Sequence, residues 1–476
     1  MDTHPVPILQ DVTLHTQSQI DPLVSFRNVE GEAARGTIIN LQRKSLVMEV
    51  YNPYSIVQVS EVLSELTVRF GTSIAYLGKA VVISLVNTGL TAIVSVTLID
   101  EWRELNDIVV VPGAVGAEAS AFVQDWTRRF QIRRDYQVVV NELRAYLSDV
   151  ARWVEQVDLS ESLPRVDGKL REDVFYELAA PLVGKTKFYL DLLEGEVSQV
   201  NAEFAPAHRS FAQTALHPLL LRAPFVFRTY TKPLGYAGDY QMVNQILDDP
   251  RQGPNTYFQM VNTAFLQNVL AEAHRNRIDI LVDFLTRLAD SARQAGRPFR
   301  ILNVGCGPAV EIQRFLQTYP HPEWLSFELV DFSEETLAWT RAKLSSIVKQ
   351  TGKPVAINYV QDSVHKLLKR RTDPASDSAR EFDAVYCAGL FDYLSDKVCS
   401  RLMLHFAART NHGGTLLVTN VHSNNSNKFF MEHLLEWYLI YRDAAILEPL
   451  LPMQSATRKI YTDATGMNIF AEAIIT

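Results

Sequence analysis

The run Asn303-Val304-Gly305-Cys306-Gly307-Pro308-Ala309-Val310-Glu311 follows a short apolar stretch at 299–304 and opens a helical pattern. Glycines at 305 and 307 permit backbone conformations closed to other residues and let a ligand approach the chain closely, while the helix start behind them offers free amides. A dinucleotide-binding turn would carry a third glycine at 310, where this chain has Val. Alone, the pair is a weak sign, since a purely structural turn reads the same. The next apolar stretch ends at Asp331, 26 residues past Gly305, where a carboxylate can accept from both hydroxyls of a ribose. The third ends at Gln361-Asp362-Ser363, where Asp362 can accept from the exocyclic amine of adenine. Together these positions say far more than any one of them.

Working outward, strands are predicted at 299–304, 325–331, 355–360, 382–387, 414–421, 459–462 and 468–475, alternating with helices as in βαβ units on a mostly parallel sheet. Asp463-Ala464-Thr465-Gly466 makes the last two an antiparallel hairpin closing the seven-stranded sheet. The polar positions all fall at strand C-terminal ends, the ligand-binding edge of an open parallel sheet. Over about 298–476 the chain therefore resembles the class I S-adenosylmethionine-dependent methyltransferases, an α/β Rossmann-like family. The resemblance implies S-adenosyl-L-methionine as cofactor, held by Gly305, Cys306, Gly307, Glu311, Asp331, Phe332, Asp362, Ser363 and Gly389. Asn303 departs from the Asp or Glu that the family often places near the methionine amino group; Glu311 either substitutes for it or is a charge at a helix start.

A narrower resemblance rests on Lys232-Pro233-Leu234-Gly235-Tyr236-Ala237-Gly238-Asp239-Tyr240-Gln241-Met242, Gly389-Leu390-Phe391-Asp392-Tyr393-Leu394 and Glu436-Trp437-Tyr438-Leu439-Ile440-Tyr441-Arg442. These segments are similar to bacterial methyltransferases assigned to 3-hydroxypalmitic acid methyl ester synthesis, which points to a subfamily and leaves the substrate open. Residues 235–240 read as a lid, with Tyr236 and Tyr240 near the methyl donor and Asp239 as a polar contact or base; the alternative is a Tyr-rich turn between packed helices. Aromatic faces attract a sulfonium without competing as nucleophiles. Asp392 and Tyr393 follow the fourth strand, beside the methyl-transfer position that the resemblance implies, unless Phe391 and Leu394 only pack and Asp392 only caps a helix. His422, after the fifth strand, is the candidate histidine base. Tyr438, Tyr441 and Arg442 are expected on a helix, where Arg442 either grips a substrate carboxylate or forms a structural ion pair; Arg275 and Arg277 are alternative carboxylate ligands. The implied reaction is attack by a substrate oxygen or nitrogen on the S-methyl carbon. A carboxylate acceptor needs no general base, whereas an alcohol or amine usually does, with Asp239, Tyr240 and His422 as candidates.

A net charge of −8 without a basic tract argues against nucleic acid as a partner, and 47% hydrophobic with 21% charged residues excludes disordered and collagen-like classes. Three cysteines, Cys306, Cys387 and Cys399, lack metal-ligand spacing, so neither a zinc site nor a disulfide framework is expected. A polar, Pro-containing start without an apolar run predicts no signal peptide and a cytoplasmic chain. The uncharged stretch 80–99 is long enough to span a membrane, but its β-branched residues around Asn87-Thr88-Gly89 predict a hairpin instead.

Three domains are expected: a β-barrel over 1–114, a helical linker and lid region over 115–295, and the methyltransferase domain over 296–476. In the first, strands are predicted at 23–28, 36–40, 45–50, 66–70, 72–77, 79–85 and 91–98. It resembles PilZ-like cyclic-dinucleotide domains through Phe26-Arg27-Asn28, but Asn40-Leu41-Gln42-Arg43-Lys44-Ser45 lacks the motif's Ser and Gly, and no paired Arg precedes it. Helices are predicted at 117–155, broken at most once, and at 170–180, 185–204, 211–221 and 256–291. The leading reading is a small-molecule methyltransferase acting on a fatty or other carboxylic acid or a specialised metabolite, with a homodimer as one assembly. The rival is a regulatory protein whose barrel senses a ligand and whose transferase fold is inactive. A third keeps the cofactor for a non-methylating reaction.

Overall fold

The computed structural model describes residues 23–27, 33–50, 57, 61–70, 73–87, 92–102, 115–129, 131–160, 162–201, 204–369, 380–453 and 455–476. The expectations made for the N-terminal segment, Asn28, Thr88 and Gly89 lie outside them. The chain forms two compact units, 1–116 and 117–476.

The first unit is a closed barrel of β1 (Leu23–Arg27), β2 (Ala33–Gln42), β3 (Ser45–Val50), β4 (Val62–Phe70), β5 (Ser73–Asn87) and β6 (Ala92–Leu98), in the order β1-β2-β3-β6-β5-β4. Every pairing is antiparallel. Alternation along β3 and β6 turns Leu46, Met48, Val94 and Val96 inward, so the barrel is filled with side chains. The uncharged stretch is the β5–β6 hairpin, with Val82 paired to Val96. Among the described residues no helix is long and apolar enough to cross a membrane. The strands predicted at 72–77 and 79–85 are one strand, because Gly78 marks a close approach and not a turn: a Cβ there would lie 2.5 Å from Asp100 Oδ2.

The second unit begins with α1 (Val115–Arg129) and α2 (Arg134–Leu159), the predicted long helix with its single break. A two-residue hairpin, β7 (Arg165–Val166) and β8 (Lys169–Leu170), precedes α3 (Glu172–Val197). Prediction split α3 at Pro181. Proline withholds one hydrogen bond, but the buried stripe Phe175, Ala179, Val183, Thr186 and Leu190 runs through it, and packing keeps the helix whole. Then come α4 (Ala205–Leu220), α5 (Pro224–Thr231), α6 (Tyr240–Leu247), α7 (Thr256–Leu266) and α8 (Val269–Gln294). The helix predicted over 256–291 divides because the Asn268 side chain accepts from the amides of Leu270 and Ala271, each at 2.9 Å, and starts a new helix.

The sheet comprises β9 (Phe299–Val304), β10 (Leu325–Asp331), β11 (Ala356–Gln361), β12 (Phe382–Cys387), β13 (Thr410–Val421), β14 (Ser455–Thr462) and β15 (Asn468–Ile475), ordered β11-β10-β9-β12-β13-β15-β14. β15 alone runs opposite in direction to the other six strands. Between the strands lie α9 (Val310–Thr318), α10 (Glu334–Thr351), α11 (Val364–Lys369), α12 (Asp396–Arg409), α13 (Lys428–Leu435) and α14 (Ala444–Leu447). Leu281, Phe284 and Phe315 cover one face of the sheet, and Leu402 and Phe406 cover the other. This is the expected Rossmann-like α/β architecture with a terminal hairpin. Its strand order reverses between β9 and β12, and that reversal opens a crevice at their C-terminal ends.

The helix expected to hold Tyr438, Tyr441 and Arg442 is not formed. Glu436, at φ +48°, ends α13, and the chain then runs extended, with Ile440 N donating to Asp392 O at 2.7 Å and Arg442 N to Val421 O at 3.2 Å. Backbone partners on a neighbouring segment replace intrahelical ones, so Tyr438 and Arg442 share no helix face.

Candidate functional site

The first turn is folded onto β10: Gly305 N and Cys306 N both donate to Val330 O, at 2.8 and 3.1 Å. Gly305 (φ +70°) and Gly307 (φ +51°) occupy the left-handed region, and a Cβ at Gly307 would meet nothing within 4 Å, so its backbone borders open space. The turn is locked by Asp331, whose Oδ2 accepts from Gly307 N at 3.1 Å and whose Oδ1 accepts from Ser333 N at 3.0 Å. Thr340 Oγ1 donates to Gly307 O at 2.8 Å from α10. Asp331 is 4% exposed, and burial lifts its carboxyl to about 6 even though these amides favour the charged form. One strand over, Asp362 is buried, its amide donates to Asp331 O at 3.0 Å, and its Oδ1 accepts from Ser363 N at 3.0 Å. Ser363 Oγ is spent on the Lys366 amide in α11. Cys306 is buried, its Sγ donates to Gly307 O at 3.6 Å, and burial raises the thiol well above the usual range.

On the other side of the crevice, Glu311 in the first turn of α9 accepts from Tyr386 OH at 2.7 Å and from Asn303 Nδ2 at 3.1 Å. Burial raises its carboxyl, and the two donors work against that shift. Asn303 is thus a hydrogen-bond partner of the Glu311 carboxylate. Gly389 follows β12 at φ +94°, its amide donating to Thr419 Oγ1 at 3.0 Å. A Cβ on Gly389 would lie 3.1 Å from Arg277 Nη1, so the guanidinium from α8 rests against this glycine.

The segment expected as a lid is a short connection between α5 and α6. Tyr236 lies with its ring 5.4 Å from Phe332 and 6.3 Å from Tyr393, which places it between the residues that follow β10 and β12. Asp239 is fully buried, caps α6 by accepting from Met242 N at 2.9 Å, and pairs with Arg228 at 2.8 Å. Tyr240 OH donates to Glu335 Oε1 at 2.9 Å, and burial raises its phenol pKa, so it stays protonated. Tyr393 OH accepts from Trp437 Nε1 at 3.1 Å and stands 2.5 Å from where a Gly238 Cβ would be. Gly238→Ala is therefore expected to displace the Tyr393 hydroxyl and lower stability by about 1 kcal/mol through the lost hydrogen bond. In a Tyr393→Phe background the same substitution will cost little, a non-additivity that urea midpoints of the two single variants and the double variant will read.

Other expected site residues are engaged elsewhere. Arg442 is fully buried and donates to Phe391 O and Asn420 Oδ1 at 2.7 Å each, to Leu394 O at 2.5 Å, and to Asp396 Oδ1 at 2.7 and 2.9 Å. His422 Nδ1 accepts from Asn424 N at 3.0 Å, which places the proton of a neutral ring on Nε2 and makes that atom a donor, not a base. Tyr438 accepts from Arg209. Arg275 donates to Ile246 O at 3.1 Å and to Leu266 O at 3.2 Å. Asp392, read from sequence as a neighbour of the site, is buried and accepts from Val421 N at 2.6 Å, and burial lifts its carboxyl to about 6. Sequence reading passed over Tyr386 and Thr340, an ordinary strand tyrosine and an ordinary helix threonine whose roles exist only through partners distant in the chain. Beside Trp437, a cavity of about 10 Å³ lined by Phe225, Phe265, Leu270 and Phe430 has room for no more than one water, so no apolar acceptor site is open there.

No family model matches the chain, and no curated protein matches it. Among solved structures it is similar to a Bordetella parapertussis protein described as a possible exported protein, with 14% identity over 72% of this chain and 95% of that one and a TM-score of 0.39. It is also similar to magnesium protoporphyrin IX methyltransferase of Synechocystis PCC 6803, solved with bound SAH, at 12% identity over 53% and 98% of the two chains and a TM-score of 0.36. An O-methyltransferase family protein of Burkholderia thailandensis matches at 12% identity over 77% and 99%, with a TM-score of 0.32. At such values the chemistry rests on this chain's own residues.

Proposed function

We propose that the chain is an S-adenosylmethionine-dependent methyltransferase acting on the carboxylate of a small acid. The carrying observation is the buried Asp331 carboxylate beside the open Gly307 backbone at the crevice of the sheet, with the adenine-edge candidate Asp362 one strand further out. Asp331 has room in its lone pairs for two ribose hydroxyls beyond the two amides it already accepts. Tyr236, Phe332 and Tyr393 supply aromatic surface near the turn and exclude water from the place where charge is transferred. When bound, the cofactor would supply an electrophilic methyl group for the acceptor oxygen, with S-adenosylhomocysteine and a methyl ester as the products.

A carboxylate acceptor is favoured because Asp239, Tyr240 and His422 are each committed to a contact that leaves none of them disposed to take a proton. A hydroxyl acceptor is the second reading, and Asp392 favours it: a buried carboxyl with a pKa of about 6 suits a general base near neutrality. A fatty acid, as the narrower resemblance suggests, is one member of the acid class. Within the second unit, we assign 296–476 to cofactor binding and 115–295 to the lid and acceptor side. The barrel, PilZ-like in its strand pattern, is assigned a scaffold role, since Gln42 and Ser45 bond to each other at 3.3 Å where the motif would meet a nucleotide.

The test is calorimetric titration with S-adenosylmethionine and S-adenosylhomocysteine, followed by an acceptor screen over carboxylic acids and their alcohols. The ribose hydroxyls donate to the ionised form of Asp331, whose burial holds its pKa near 6. Affinity is therefore expected to be level above pH 7 and about tenfold weaker at pH 5, with proton release on binding at the lower pH. Absence of binding at pH 7.5 would sink the reading, and methylation of alcohols but not acids would transfer it to Asp392.

A further inference from the structure

Trp437 touches two surroundings of opposite character. Its place is fixed locally: the left-handed Glu436 ends α13, and Trp437 N donates back to Met431 O at 3.1 Å. The indole is 5% exposed, and its polar edge points one way, with Nε1 donating to Tyr393 OH at 3.1 Å. Tyr393 packs ring to ring with Tyr236, which packs in turn with Phe332, so this edge adjoins the aromatic residues that follow β10 and β12. The same side chain also lines the cavity of about 10 Å³ with Phe225, Phe265, Leu270 and Phe430. An indole suits such a boundary, with its N–H on the polar side and its carbon surface on the dry one.

The cavity is suited to hydrocarbon. Of its polar lining residues, Asn268 is spent on capping α8, and His274, which donates from Nδ1 to Leu270 O at 3.1 Å, is held neutral by burial with a pKa of about 3. Close-packed interiors leave few gaps of even this size, and this one lies near the crevice. His274 and Arg277 are three residues apart on one face of α8, about 4.5 Å along its axis. Arg277 Nη1 is 3.1 Å from where a Cβ on Gly389 would be, at the end of β12. Both the Tyr393 bond and the run of α8 therefore bring the cavity to the acceptor side of the crevice, with the indole between them.

Resting on the methyltransferase reading, we infer that Trp437 is the back wall of the acceptor site and sets the length of the acid that it takes. With the acceptor carboxylate at the crevice beside Tyr393, a hydrocarbon tail directed toward α8 and α13 meets the indole after a few carbons. Within the acid class the site thus takes short members, and this one side chain excludes long acyl chains. Replacing the indole by a methyl group joins the cavity to the site and leaves a dry apolar space on the order of 150 Å³, enough for a molecule the size of benzene.

The experiment measures kcat/KM for methyl-ester formation from butanoate, octanoate and hexadecanoate on the intact chain. The unmodified protein is expected to prefer butanoate to octanoate by about tenfold or more and to leave hexadecanoate unmethylated. Trp437→Ala is expected to reverse the order, gaining about fourfold per added methylene up to octanoate, the value of burying each one. Trp437→Phe keeps a ring at the wall, loses only the bond to Tyr393, and should keep the preference for butanoate. Indole supplies a readout apart from turnover: it should raise the melting midpoint of Trp437→Ala, leave that of the unmodified protein unchanged, and compete with octanoate but not with butanoate. Trp437→Leu takes the place of the alanine variant if that one does not fold. Equal use of butanoate and octanoate by the unmodified protein would overturn the assignment, because the tail would then leave by another route. No gain for octanoate in Trp437→Ala would overturn it too, and indole bound in that variant would show the cavity to be cut off from the site. A Trp437→Phe profile matching that of Trp437→Ala would trace the effect to the lost hydrogen bond and overturn the wall. Failure of the unmodified protein to bind S-adenosylmethionine would instead bring down the methyltransferase reading and this inference with it; binding without methylation of any acid would bring down the acid reading.

Discussion

Asp331→Ala is expected to weaken S-adenosylhomocysteine at least 100-fold while the chain stays folded. The carboxylate is 4% exposed in the fold and would be fully enclosed by a bound ribose. Hydrogen bonds to a charged group contribute about 1.5–3 kcal/mol each, so losing two ribose contacts corresponds to about 3–6 kcal/mol, two to four decades in affinity. The fold survives because the turn keeps its backbone bonds from Gly305 and Cys306 to Val330, and open space beside Gly307 lets water satisfy the amides that Asp331 leaves. Asp331→Asn is the informative companion. It preserves shape, removes the charge, and should lose less affinity while abolishing the fall between pH 7 and pH 5. Micromolar binding by Asp331→Ala, measured by calorimetry alongside a thermal melt, would remove the ribose role.

Arg442→Met should fail in a different manner, by destabilising the protein. The substitution leaves the carbonyls of Phe391 and Leu394 and the Asn420 amide oxygen without their buried donor, at a cost of about 3–5 kcal/mol. For a unit spanning 117–476 that corresponds to a fall of about 4–7 °C in the midpoint of thermal unfolding. Asp396→Ala should cost about 1 kcal/mol, because Asp396 is 59% exposed and Arg442 retains its other acceptors. If Arg442→Met melted like the unmodified chain and lost only acceptor turnover, the arginine would be a substrate ligand after all. The two predictions thus separate a residue that holds a ligand from one that holds three loops together at the same crevice.

The difference between Asp331 and Arg442 marks where sequence reading succeeds. The position of Asp331 was legible because it ends a strand, and strands 299–304, 325–331, 382–387 and 468–475 have the predicted limits. Their apolar runs are buried on both faces of a parallel sheet, which leaves an unambiguous continuous signal. Residues 436–442 carried an equally good helical spacing and are extended, because Val421 and Asp392 supply backbone partners that no local pattern announces. Arg442 then turns inward to bind carbonyls, and its part in the fold depends on residues 22 to 51 positions away.

The sequence alone determined the order of strands and helices, the glycine turn and the carboxylates at the strand ends, since each depends on side-chain period or backbone freedom within a few residues. Tertiary structure decided which polar groups were already committed. Asp239, Tyr240, His422, Arg275 and Arg442 are committed to partners, whereas Arg277, two residues from Arg275 on the same helix, faces the crevice with none among the described residues. The physical reason is that a hydrogen bond or an unpaired buried charge depends on distance in space, and in this fold the groups that meet at one crevice come from α8, β9, β10 and β12, separated by up to about a hundred residues of chain.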